Sequence, residues 1–189
     1  MEEIAVDHTH AFSRKTVWLH WLVAVVMLPM LAIGIYMSLA EAYGLYDIHK
    51  SIGLLALPLL AARAAWRLRQ GWPRPLGRYR ASERWLAKAI HWCLLLGTLA
   101  LPLSGMLYSA ASGHGFGIFG VTLVPANQDP SDPDEVIPYS QLLSVLGETA
   151  HEWVGYGLVV ILLLHVAGAL KHHLVDRDGT LRRMLGRHV

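Results

Sequence analysis

Cysteine is nearly missing from the chain, with Cys93 the one thiol in 189 residues. A single thiol excludes an internal disulfide, an iron–sulfur cluster held on four thiolates, and a c-type haem attached through Cys-x-x-Cys-His. Charge is scarce too: 16% of residues are Asp, Glu, Lys or Arg, where a soluble chain carries about a quarter. With 54% apolar residues and a mean hydropathy of +0.38, the excess apolar surface must face lipid rather than water. The formal net charge of +2 excludes neither membrane nor nucleic acid, so the placement of the charges has to decide. Histidine, by contrast, is plentiful at 11 residues, and any metal chemistry has to run through imidazole.

Residues 16–40 hold no charged side chain, and about 20 apolar residues suffice to cross the hydrocarbon as a helix. This is the first span, and it is too long and lacks the cleavage pattern expected of a removable signal peptide. A second is expected at about 46–68, its far end interrupted by Arg63 and Arg67, whose long side chains can snorkel to the interface. Residues 89–128 are again free of charge; about 89–109 make the third span, and the Gly-rich 113–120 reads as a loop on or dipping into the interface. The fourth span covers about 150–171. Pro29, Pro58 and Pro102 fall inside three of the spans, where membrane helices tolerate proline and kink. The expected fold is all-α: an integral membrane four-helix bundle forming a single domain over 1–189.

Fifteen of the 16 Lys and Arg residues lie before span one, between spans two and three, or after span four, leaving only Lys50 on the other side. The positive-inside rule therefore puts both termini and the middle loop, with Arg74 and Arg78, in the cytoplasm. The opposite face carries Glu41, Asp47, Asp129, Asp132, Asp134, Glu135, Glu148 and Glu152. Trp18, Trp21, Trp66, Trp72, Trp85 and Trp92 gather near the inner boundary, as an interfacial belt does. A topogenic loop accounts for the middle arginines, and no nucleic-acid partner is expected.

On this topology the histidines sort by depth. His20, His91 and His165 share the inner level, His49 and His151 the outer one. Ionisable residues inside a membrane usually face the bundle interior and mark function. His151 and His165 stand 14 residues apart, which is about 21 Å along a helix and about 40° short of whole turns. They share a side at opposite ends of the bilayer core, too far apart for one metal ion but suited to two stacked cofactors. Two imidazoles from facing helices can fill both axial positions of a haem. Depth pairs His49 with His151, and His165 with either His20 or His91. Arg63, displaced from His49 by the same 14 residues, falls at the inner level, where its guanidinium suits a haem propionate; a snorkelling arginine is the alternative. His8, His10, His114, His172, His173 and His188 gain no role from the sequence.

The segments Thr16-Val17-Trp18-Leu19-His20-Trp21-Leu22, Ile48-His49-Lys50-Ser51-Ile52-Gly53 with Arg63, Ile90-His91-Trp92, and His151-Glu152 with His165 resemble the prokaryotic cytochrome b561 family. So does the tail from Lys171-His172-His173 to Arg182-Arg183-Met184. The resemblance implies two haem b groups in a bacterial inner membrane, the inner one on His20 and His165 and the outer one on His49 and His151. It also implies electron exchange with ubiquinone or menaquinone, and leaves His91 to contact a quinone or a propionate, or to sit as a satisfied core histidine. Alternative activities are a superoxide:ubiquinone oxidoreductase and a haem-carrying anchor for a dehydrogenase or hydrogenase. With both axial positions filled, outer-sphere electron transfer is the expected mode. A haem-free histidine-lined metal or proton transporter is a further rival. For superoxide, eight acidic groups against Lys50 should slow an anion rather than steer it.

Overall fold

In the computed structural model, residues 12–72, 76–77 and 79–187 are described. His8, His10, Arg74, Arg78 and His188 lie outside the described residues. The elements run α1 (Arg14–Ala40), a single 3-10 turn (Tyr43–Leu45), α2 (Tyr46–Gln70), α3 (Ala81–Ala111), β1 (Phe116–Ile118), β2 (Val121–Val124), α4 (Gln141–Leu174) and a short α5 (Thr180–Met184). The four long helices are each long and apolar enough to cross a membrane, and helices do so because lipid offers no partner to an unpaired backbone group.

Two helices begin earlier than their uncharged cores suggest. α3 starts at Ala81 rather than near 89, because Glu83 accepts from the Arg80 backbone N–H at 3.2 Å and stabilises a polar first turn. α4 starts at Gln141 rather than near 150, with Ser140 Oγ capping the Leu143 N–H. At 34 residues α4 is about 51 Å long, well beyond a hydrocarbon core of about 30 Å, so His151 lies well inside the helix and not at its start.

The Gly-rich segment is not a bare loop. β1 and β2 form an antiparallel hairpin, a small departure from an all-α chain. It is hung on the first turns of α2 and the end of α3. The Phe119 N–H donates to Ser51 Oγ at 2.9 Å, while Lys50 Nζ at 3.2 Å and Ser109 Oγ at 2.5 Å both donate to the Gly115 carbonyl.

Packing is uneven. α3 and α4 lie closely against one another, and α1 packs on α2. A Cβ at Gly147 would stand 2.6 Å from the Tyr108 backbone nitrogen, so only glycine lets α4 come this near α3. Met27, Ala56 and Leu60 form the buried core between α1 and α2, with Val23, Val26, Leu99 and Leu101 against it. Leu22, Val25, Leu96 and Leu163 are exposed apolar side chains on helices that span the bilayer, as a lipid-facing surface requires. α4 meets α1 at His20–His165 and α2 at His49–His151.

Candidate functional site

α4 carries one member of each histidine pair. Toward the hairpin end, the His49 and His151 rings lie 6.2 Å apart, centroid to centroid, and nearly perpendicular at 86°. Toward the other end, His20 and His165 are also 6.2 Å apart, tilted by 56°. His91 meets the same His165 ring at 5.2 Å and 82°. The structure thus brings together all five histidines singled out by depth.

These distances discriminate between uses. Metal–imidazole bonds of about 2.0 Å, with about 1.1 Å from nitrogen to ring centre, put two rings on opposite sides of one metal about 6.2 Å apart. The His49–His151 and His20–His165 pairs fit that spacing. His91 and His165, at 5.2 Å, are too close to share an ion in that way.

Second contacts prepare the rings. His151 Nδ1 lies 2.8 Å from the Leu101 carbonyl; a carbonyl only accepts, so Nδ1 carries the proton and Nε2 keeps its lone pair. Ser104 Oγ is a further neighbour at 3.4 Å. A Cβ on Gly105 would sit 2.9 Å from the His151 ring, so glycine there makes the room the imidazole uses. Around the inner pair, Arg63 and Arg67 lie within electrostatic reach of His20. Nη1 of Arg63 and Nδ1 of His49 are buried without a hydrogen-bond partner among the described residues. An unpaired guanidinium N–H inside an apolar bundle is costly, and a carboxylate-bearing group beside it would satisfy it. Paired imidazoles beside a buried guanidinium fit a carboxylate-bearing planar cofactor such as haem better than a compact four-ligand metal site.

At the inner boundary the aromatic belt is joined to the site. Trp72 packs on His91 at 5.7 Å and on Trp92 at 5.3 Å, with the Arg67 guanidinium 5.5 Å over its ring. Trp66 Nε1 donates to Thr16 Oγ1 at 3.0 Å, and Trp21 Nε1 to the Met184 carbonyl at 2.7 Å.

His172 has a structural setting that the sequence did not supply. Its Nδ1 lies 2.9 Å from Asp178 and 3.1 Å from Asp176, and Lys171 pairs with both Asp176 and Glu83. The Tyr79 hydroxyl donates to Asp178. Burial and that hydrogen bond push the Tyr79 hydroxyl up to about 12. Burial alone would raise Asp178, yet its bonds from Tyr79 and Thr180 hold it below the ordinary carboxylate value. These groups latch the tail to the α2–α3 connection. His114 bonds Ser112 Oγ at 2.9 Å beside the hairpin, and burial, then the nearby Lys50 charge, lower it.

Leu101, Gly105 and the latch were not singled out in the sequence. Glycine inside an apolar span was the available signal for Gly105, since such residues mark close approach; a backbone carbonyl such as that of Leu101 leaves no signal at all.

Four helices long and apolar enough to cross a membrane, with histidines paired at two levels, define a multi-pass membrane protein. The profile of the prokaryotic cytochrome b561 family matches residues 11–187, and the chain belongs to that family, whose members bind haem b and carry out membrane electron transfer. It is 36% identical over 173 residues to cytochrome b561 homolog 2 of Escherichia coli K12, covering 89% of this chain and 87% of that protein. Cytochrome b561 homolog 1 of the same strain is 27% identical over 181 residues, 93% and 97% of the two chains. A Yersinia pestis protein named probable superoxide oxidase CybB is 28% identical over 177 residues, 92% and 95% of the two.

Proposed function

We propose that this chain is a di-haem electron-transfer cytochrome of a bacterial inner membrane, exchanging electrons with the quinone pool, ubiquinone or menaquinone. His20 and His165 would hold the inner haem, His49 and His151 the outer one, with both termini cytoplasmic. The observation that carries this is the equal 6.2 Å spacing of two ring pairs sharing α4. When bound, each haem b supplies a one-electron ferric/ferrous couple.

The chain's own residues do the rest. The Leu101 carbonyl fixes the His151 tautomer, and the unpartnered Arg63 Nη1 is the donor offered to an inner propionate. The exposed ring of His91 beside Trp72 gives a quinone headgroup its approach to the inner pair. The hairpin, tied to α2 through Lys50 and Ser51, covers the outer end of that helix and limits the entry of water.

Superoxide is the second reading for the electron donor, favoured by the named Yersinia pestis relative. Lys50, next to His49, would be its local attraction, although its ammonium is already engaged by Gly115.

A dithionite-reduced minus oxidised spectrum of purified protein, with haem quantified as the pyridine haemochrome, tests the assignment. Two b haems per chain are expected; a colourless protein would sink it. Mixing the oxidised protein separately with superoxide and with quinol then identifies which of them reduces it.

A further inference from the structure

The two outer rings are not held alike. His49 Nδ1 is buried with no hydrogen-bond partner among the described residues, and a Cβ on Gly34 of α1 would stand 3.4 Å from its Cε1, at the near edge of ordinary contact. His151, in contrast, is held along one edge by a single turn of α3. Its Nδ1 donates to the Leu101 carbonyl at 2.8 Å and stands 3.4 Å from Ser104 Oγ, a hydroxyl that itself donates to the Leu101 carbonyl at 2.8 Å. The edge formed by Nδ1 and Cε1 rests on Gly105, where a Cβ would stand 2.9 Å from both atoms, too near for any side chain. Leu101, Ser104 and Gly105 fall on one face of α3, because residues three and four apart in a helix are neighbours.

A hydrogen bond alone leaves a ring free to turn about the bond, whereas packing along the same edge removes that freedom. The planes of His49 and His151 cross at 86°, close to the largest angle two planes can make, while those of His20 and His165 are tilted by only 56°.

Resting on the haem assignment above, we infer that Leu101, Ser104 and Gly105 are positioning residues for the outer haem: they hold the plane of His151 across that of His49 and so give this haem an electronic structure unlike that of the inner one. Contacts outside the ligand shell orient metal-bound imidazoles, and ligand orientation is one of the levers a protein has on a haem iron. In low-spin ferric haem each imidazole acts through its π system on one of two iron d orbitals. Parallel ligand planes act on the same orbital and split the two in energy; crossed planes act on both and bring them together. Orbitals of nearly equal energy give a strongly anisotropic paramagnetic signal, whose largest g value is displaced to lower field.

The test is electron paramagnetic resonance of the oxidised, haem-loaded protein, each signal being assigned by its loss in His20→Ala or His49→Ala. Wild-type protein should give two low-spin signals, the one lost in His49→Ala having the larger maximal g value; the reverse order, or two superimposed signals, would overturn the inference. In Gly105→Ala the new methyl should turn the His151 ring, and from 86° any appreciable turn lessens the crossing. The outer signal should therefore shift to a smaller maximal g value while the inner one stays in place. Ser104→Ala, which adds no bulk, should shift the outer signal in the same direction by less, and it decides the matter if Gly105→Ala takes up no outer haem. Gly97→Ala, whose methyl would press on Leu158 of α4 at 2.7 Å, should leave both signals unmoved; an outer shift as large as that of Gly105→Ala would overturn the inference by tracing it to general packing of α3 on α4. An outer signal unmoved in Ser104→Ala, or in Gly105→Ala protein that still holds the outer haem, would overturn it and leave the two-haem assignment intact. Wild-type protein without an outer haem would overturn both.

Discussion

The inner histidines could not be paired from spacing, because His20 and His91 enter the bilayer at the same depth. Ring separation favours the proposed pair, since 6.2 Å between His20 and His165 suits an iron between them and 5.2 Å between His91 and His165 does not. The depth of each histidine and the shared side of His151 and His165 were legible in the sequence because α-helical geometry is periodic. The neighbour that fixes each ring was not legible, because Leu101 and Ala87 contribute only backbone oxygens, which every residue has. Replacing His20 with alanine should remove the inner haem and leave the outer one, halving the extractable haem. His49→Ala should do the reverse, and the two variants should retain different potentials. Equal loss of both haems in either variant would count against pairing by level.

At the scale of elements, charge gaps locate the membrane-crossing part of each helix but not its ends. α3 and α4 extend into water on polar turns stabilised by Glu83 and Ser140, which hydropathy alone does not separate from loop. The hairpin escaped notice for another reason. Its strands have three and four residues, too few for alternation to register, and its place depends on Ser51 and Lys50 of a different helix. The tail latch is likewise a meeting of distant residues, and it makes a pH prediction. Asp178 is held below its ordinary value, so its contribution is complete above the unfolded carboxylate range and is lost as pH falls through the lowered folded value. Tyr79 is raised from 10.0 to about 12, so its contribution is complete below 10.0 and is lost as pH rises toward about 12. Protection factors of the amides in residues 175–187, taken relative to intrinsic exchange at each pH, should therefore be largest between these limits and fall at both. Tyr79→Phe should lower protection at neutral pH and abolish its alkaline decline; an alkaline decline in protection that survives unchanged would assign it to another group.

Across the whole molecule, the basic residues that set the expected orientation sit at the end where the latch and the tryptophan belt are found, and the acidic residues sit with the hairpin. Reporter fusions after residue 187 should be active in the cytoplasm, and fusions within 128–135 should be active outside. The opposite pattern would invert the inner and outer assignments of both haems. Fold class and span number were legible because a bilayer imposes one length and one polarity on every crossing. How the helices pair was not, since lipid-facing and slot-facing leucines look alike in sequence. Proline lies inside α1, α2 and α3 at Pro29, Pro58 and Pro102, whereas α4 runs from Gln141 to Leu174 with no proline. The helix that carries one histidine of each pair is thus the one without proline. On the proposed assignment it acts as a ruler: about 21 Å of continuous hydrogen-bonded backbone sets the step between the His151 and His165 sites. Electron tunnelling is steeply sensitive to distance, so on that assignment the helix without proline would hold the rate of exchange between the two proposed haems steady.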